Sequence, residues 1–261
     1  MHYVMSDIHG QYAMYRMMLN RIDFSDDDTL YIIGDAVDRG PDSVSLLLDI
    51  MSRENVVFLI GNHEHMMYRT LAKKDMDEMH TWMLNGGAGT LEQFEALDIS
   101  LRRAVLRWLA SRPLVIPSLS VNGRNYYLAH ACHALYPEND VLLYKNAGIQ
   151  NIEQVVWSRE YSSPDRFQQG YMFSRLYARY PDTTLLIGHT PVQKCSYGIV
   201  TNNGSGRISK CCRGHLINLD CGCSSGRTLG CLRLEDGREF YIDSAPKEKR
   251  RKKGKDESEL S

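Results

Sequence analysis

VVFLIGNHEH, residues 56–65, changes character in the middle: a run apolar enough to be a buried strand passes directly into Gly61, Asn62, His63 and Glu64. No turn-and-return hairpin follows. The same junction recurs along the chain. YVM (3–5) runs into Ser6-Asp7-Ile8-His9-Gly10, and TLYII (29–33) into Gly34-Asp35-Ala36-Val37-Asp38-Arg39-Gly40. YYLA (126–129) runs into His130-Ala131, and TLLI (184–187) into Gly188-His189-Thr190. In a parallel sheet, loops from different strands converge at the carboxyl ends, so these junctions would gather oxygen and imidazole ligands in one place. Glycines at 10, 34, 40, 61 and 188 suit tight turns and close backbone approach there.

Each junction taken singly has an ordinary explanation. Asp-x-His at a helix start is usually a cap, because Asp satisfies orphan amides. A histidine just after a strand is usually a hydrogen-bonded side chain at the core's edge, and Asp38-Arg39 alone would be a surface turn. Jointly these explanations fail, since folding does not ask strand after strand to end in a metal ligand, and clustered carboxylates are unfavourable without a cation. Carboxylate, imidazole and amide oxygen without cysteine favour two divalent ions such as manganese, iron or zinc over a closed thiolate zinc site. Two such ions sharing a water suit in-line displacement at phosphorus.

The runs at 3–5, 29–33, 56–60, 126–129, 184–187, 215–219 and 229–234 have the length and β-branched content of strands. Tyr15, Met18, Leu19 and Ile22, like Val44, Leu47, Leu48 and Met51, follow helical spacing. The opening is therefore βαβαβ, with parallel strands under helices. From about 66 to 112 the pattern is helical, with a Leu101, Ala104, Val105 and Trp108 stripe and LNGGAG (84–89) as punctuation, and it reads as a helical insertion. Strands return after Ile116, and the chain closes in an antiparallel, edge-like set. Residues 1–245 read as one domain and 246–261 as a disordered basic tail.

The net charge of −1 conceals a skew, because PKEKRRKKGKDESELS (246–261) holds seven Lys/Arg against four Asp/Glu, and removing its +3 leaves −4 for residues 1–245. An acidic body argues against a specific nucleic-acid partner. No apolar stretch approaches 18 residues, and the start lacks a signal peptide's pattern, so a cytoplasmic protein without membrane contact is expected. Seven cysteines, six of them between Cys195 and Cys231, lack the knuckle spacing of a zinc site and read as buried thiols.

SDIHG (6–10), GDAVDRG (34–40), GNHEHMM (61–67), AHA (129–131) and GHT (188–190) resemble the calcineurin-like metallophosphoesterases. More narrowly, with WMLNGGAG (82–89) and VVWSRE (155–160), they resemble the compact bacterial and lambda-phage-type Ser/Thr protein phosphatases, over roughly residues 1–235. The resemblance implies an α/β (α+β) fold in which two mixed β-sheets pack together flanked by helices, a four-layer sandwich. It also implies a dinuclear centre, with manganese first and iron or zinc as alternatives. Asp7 and His9 would hold one ion, Asp35 would bridge, and Asn62, His130 and His189 would hold the other. His63 would be the general acid, steadied by Asp38, and Arg39 and Arg159 would clamp phosphate. Glu64 would support the loop rather than bind metal. His133 could touch substrate but reads more simply as a loop histidine, and DCGCSSG (220–226) as scaffold behind the site.

The expected reaction is hydrolysis of phosphoserine or phosphothreonine in proteins, by direct attack of a hydroxide held by the two ions. The alternative is a nucleotide or dinucleoside-polyphosphate hydrolase of the same superfamily. The motif residues all meet the common phosphate, so they do not choose between the two. The loop 136–151 and the helical insertion should.

Overall fold

β1 (His2–Met5), α1 (Tyr12–Arg21), β2 (Thr29–Ile32), α2 (Ser43–Ser52) and β3 (Val56–Phe58) form the βαβαβ opening, with all three strands parallel. The computed structural model describes residues 1–135, 140–162, 166–195 and 206–244. The basic tail and the first residues of the 136–151 loop lie outside them. On α1 the anticipated stripe is buried: Tyr15, Met18, Leu19 and Ile22 are all under a tenth exposed. On α2 the buried face is instead Val44, Leu46, Leu47 and Ile50, leaving Leu48 and Met51 half-buried.

After β3 come four helices: α3 (Asn62–Lys73), α4 (Met76–Leu84), α5 (Ala88–Glu95) and α6 (Ile99–Ala110). The helical segment thus begins at Asn62 itself, four residues before the sequence pattern suggested. Gly61 precedes the first turn, and Glu64, three residues on, returns its carboxylate to the Gly61 amide at 3.0 Å. The remaining elements are β4 (Pro113–Val121), β5 (Arg124–Ala129), β6 (Leu142–Leu143), α7 (Ile149–Trp157), α8 (Arg166–Arg179), β7 (Thr183–Ile187), β8 (Ser209–Cys211), β9 (Leu216–Asn218), β10 (Thr228–Arg233) and β11 (Glu239–Asp243).

Two mixed sheets result. One has the order β11-β10-β1-β2-β3, the other β6-β4-β5-β7-β9-β8. In the first, β10 runs antiparallel to β1 and β11 to β10; in the second, β5, β7 and β9 are parallel and their neighbours antiparallel. The closing segment is therefore antiparallel at β10 and β11, as expected, but β9 is an interior parallel strand.

Strand alternation sorts the side chains into layers. Val4, Tyr31, Ile33 and Leu59 of the first sheet meet Leu128, Leu186, Ile217 and Leu219 of the second in one apolar cluster between the sheets. Their neighbours Tyr3, Met5, Leu30, Ile32, Tyr127, Leu185 and Ile187 point the other way, into the core shared with the helices. This is helix–sheet–sheet–helix packing, with α1 against β10 and β11, α2 against β3, and α7 against β4. The stacking brings the carboxyl ends of β1, β2, β3, β5 and β7 to one edge. Past the strand ends the pairing continues, His9 N donating to Asp35 O (2.9 Å) and Gly188 N to His130 O (2.7 Å).

Candidate metal centre and active site

The loops after these five strands are wound tightly. Asp7, His9, Asp35, Asp38, Arg39 and His189 all have φ between 48° and 72°, a region that non-glycine residues enter only when their surroundings hold them there. Glycines allow the loops to close on each other. A Cβ on Gly61 would lie 2.3 Å from Asp35 Oδ1, and one on Gly188 would lie 2.1 Å from Asp7 Oδ2.

The Asp35 carboxylate is the centre of the arrangement. Its Oδ2 lies 3.3 Å from His130 Nε2, 3.6 Å from His9 Nε2 and 4.0 Å from His63 Nε2, while Oδ1 accepts the His63 amide at 3.1 Å. Asn62 Oδ1 faces His130 Nε2 at 3.1 Å and His189 Nδ1 at 2.9 Å. Asp7 lies 4.0 Å from His9 Nε2 and accepts the His189 amide on both oxygens. Two groups of donors, His9-Asp35-His63 and Asp35-His130-His189, each lie within 4.8 Å of one another and share Asp35. All are buried.

The ring orientations show what this pocket requires. His9 Nδ1 donates to Val37 O (3.0 Å) and His130 Nδ1 to Ile33 O (2.8 Å), which fixes both rings with the Nε2 lone pair turned inward. The His130 lone pair then faces the Asp35 carboxylate and the Asn62 amide oxygen, acceptor against acceptor, which a proton or a cation relieves, while the His9 lone pair lies between Asp35 and Arg39 Nη1. Against the desolvation that lowers it, the Asp35 and Asp7 carboxylates raise His130 to about 10. Burial pushes Asp7 up and His9 and His189 down, whereas the surrounding imidazoles overcome burial at Asp35 and hold it well below the usual carboxylate range. The donor set fits divalent cations.

His63 is held from its far side. Its Nδ1 donates to Asp38 Oδ2 at 2.5 Å, and the same oxygen accepts Trp82 Nε1 at 2.8 Å. Its Nε2 is buried with no hydrogen-bond partner. Glu64 lies behind the centre and binds no cluster atom: it accepts amides from Gly61, Asp35, Ala36 and Val37 at 2.8–3.1 Å. Burial and nearby Asp35 push its carboxyl up to about 7, against those four amide donors, which favour the charged form.

A cleft of about 260 Å³ opens over the cluster. Arg39 reaches it with Nη1 3.1 Å from His9 Nε2 and Nε donating to Asn85 O, and Arg159 enters with Nη1 on Thr190 Oγ1 at 3.0 Å. Every site residue singled out in the sequence is therefore placed at this edge. Others were missed. Trp157, Lys194, Ser224 and Ser225 also line the cleft, so DCGCSSG is only partly scaffold. Trp82 acts through Asp38, 44 residues earlier, and no spacing signals such a contact. His133 is away from the cleft, buried beside the Tyr161 hydroxyl at 2.8 Å. All seven cysteines are free.

Two mixed sheets that deliver aspartate, histidine and asparagine from parallel strand ends to one edge define a metallophosphoesterase. The chain belongs to the calcineurin-like phosphoesterase family, whose model matches residues 3–216, and it is a hydrolase of that superfamily. It is 25% identical to the symmetrical bis(5'-nucleosyl)-tetraphosphatase of Proteus mirabilis, over 93% of this chain and 97% of that protein. It is 33% identical to serine/threonine-protein phosphatase 1 of Salmonella typhimurium, over 60% of this chain and 68% of that one. With the tetraphosphatase of Wigglesworthia glossinidia brevipalpis it shares 32% identity over 44% of its length, a stretch spanning 39% of that protein. A metallophosphoesterase from Sphaerobacter thermophilus has the same fold, with a TM-score of 0.52 at 15% identity over 94% of this chain and 88% of that one. Among the described residues no helix is long and apolar enough to cross a membrane.

Proposed function

We propose that the protein hydrolyses phosphomonoesters with two divalent ions, manganese first, which Asp7, His9, Asp35, Asn62, His130 and His189 would hold between them. The convergence of inward-facing lone pairs on the Asp35 carboxylate carries this reading. Ions held there would supply Lewis-acid activation of a water nucleophile and charge stabilisation of the displacement at phosphorus.

The chain's own groups do the rest. Arg39 and Arg159 bind the phosphoryl oxygens and orient the ester, as a guanidinium's fixed fork allows. Trp157 forms one wall of the cleft. His63 presents Nε2 to the departing oxygen and gives it a proton, while the Asp38 carboxylate on Nδ1 fixes the ring and its tautomer. Trp82 in turn fixes Asp38.

For substrate the first reading is phosphoserine or phosphothreonine in proteins, supported by the Salmonella phosphatase likeness. A dinucleoside polyphosphate is the second. It is favoured by the full-length likeness to the Proteus tetraphosphatase and by Lys194, a third cation in the cleft, suited to a phosphate beside the one cleaved. Specificity constants with manganese on phosphopeptides, phosphotyrosine, mononucleotides and dinucleoside tetraphosphates decide between them. Preference for the tetraphosphate that disappears in Lys194→Ala establishes the second reading, and preference for phosphopeptides regardless of Lys194 the first. Failure on every phosphoester rejects both.

A further inference from the structure

A second cavity, of about 290 Å³, lies far from the metal-binding edge. Arg124 and Tyr126 on its wall precede His130 on β5 by four to six residues, and Thr184 precedes His189 by five. At ~3.3 Å per residue that places it roughly 13–20 Å down the strands, too far to share a small substrate with the cleft.

The cavity has an apolar floor and a cationic rim. Tyr126, Ile217 and Leu232, each under a tenth exposed, belong to the layer between the sheets, and only their edges reach the cavity. Arg124, Lys210, Arg213, His215 and Arg233 surround it, and no carboxylate lines it. That concentration of positive charge stands out on a body whose formal charge is −4 without its tail. Lys210 is held by Glu239 at 2.6 Å and Arg233 by Asp236 at 2.5 Å. Arg124 and Arg213 have no carboxylate partner among the described residues.

The turn that carries Arg213 is an independent sign of a built site. Cys212, Arg213 and Gly214 lie consecutively at φ 52°, 57° and 89°, and the Thr184 hydroxyl donates to Gly214 O at 3.3 Å. Two neighbouring non-glycine residues in the left-handed region persist only where surrounding structure imposes them, and such strain collects at ligand sites. Here it holds a guanidinium at the rim of an apolar floor.

We propose that this cavity is a second ligand site, for a small anion in which a carboxylate, sulfonate or phosphate is joined to a flat apolar body. The body lies against the edges of Tyr126, Ile217 and Leu232 that reach the cavity, and the anionic group meets the guanidinium groups of Arg124 and Arg213, each a planar fork suited to such an anion. A few convergent polar groups over an apolar surface is the usual composition of a small-molecule site. The inference does not depend on which phosphoester the cleft cleaves.

The test uses the full chain loaded with manganese, with inorganic phosphate saturating the cleft and 8-anilino-1-naphthalenesulfonate as a fluorescent probe. Arg124→Glu with Arg213→Glu should weaken probe binding by about tenfold or more, the change expected when charge-assisted hydrogen bonds are lost. Turnover of a small aryl phosphate should stay unchanged. Inorganic sulfate and uncharged N-phenyl-1-naphthylamine should each compete poorly. If the double reversal does not fold, Arg213→Ala alone, on an exposed turn, gives the same reading. Probe binding untouched by these changes, or abolished by Arg39→Ala, overturns the site. Competition by sulfate equal to that of the probe itself overturns the apolar half of the proposal.

Discussion

At His63 one nitrogen is committed and the other is not: Nδ1 is bound to Asp38, and Nε2 is buried without a partner. A proton donor needs that asymmetry. His63→Asn should therefore slow hydrolysis of alkyl phosphates by about 10²–10⁴-fold, the usual value of general acid catalysis, and slow p-nitrophenyl phosphate much less, since its leaving group needs no proton. Equal losses on both esters, measured as kcat, would count against the role. Glu64 makes a different prediction. Its two oxygens receive four amides, and Glu64→Gln would turn an NH2 against some of them, costing about 1–3 kcal/mol of stability in urea unfolding. Glu64 was legible through the resemblance of its GNHE motif, which sets it behind the loop. Trp82 and Lys194 were not, because their roles depend on where α4 and the segment after β7 come to rest.

At the scale of elements, short continuous apolar runs rich in β-branched residues found the strands that are buried on both faces, and helical spacing found α1. The strands that escaped are short or interrupted. β6 has two residues and β8 three, too few to show a period, and β4 carries Pro113, Pro117 and a register shift between Ile116 and Leu119. They exist because a neighbouring strand offers hydrogen bonds, and that information is not local. The junctions between elements are more exacting than the elements. Gly61→Ala would put a methyl 2.3 Å from Asp35 Oδ1 and 2.6 Å from its backbone nitrogen, so the central carboxylate must move. A displacement of about 1 Å there should lower kcat/KM about 10²-fold. Loss of manganese measured by calorimetry should accompany it, while far-UV circular dichroism stays native.

Across the whole molecule the sheets are joined by an apolar layer in which Leu128, Leu186 and Leu219 are fully buried. Leu186→Ala should cost about 2–5 kcal/mol in chemical denaturation, as cavity-forming substitutions do. The sequence revealed that five strands end in ligands and that the first three are parallel; their division into two sets, one per sheet, came from the resemblance. It did not reveal which face of each set meets the other, because both faces of these strands are apolar.

The two sheets each contribute part of the candidate centre: Asp7, His9, Asp35 and Asn62 follow strands of one, His130 and His189 strands of the other. Ions held there would rivet two leaves along their open margin. Chelation should then lower the melting temperature, by the equivalent of about 2.7 kcal/mol if metal had been present at a hundred times its dissociation constant. In the stripped protein, deuterium should enter early at the amide of His189, which spans the seam by bonding Asp7, while the leucine layer beneath remains shut.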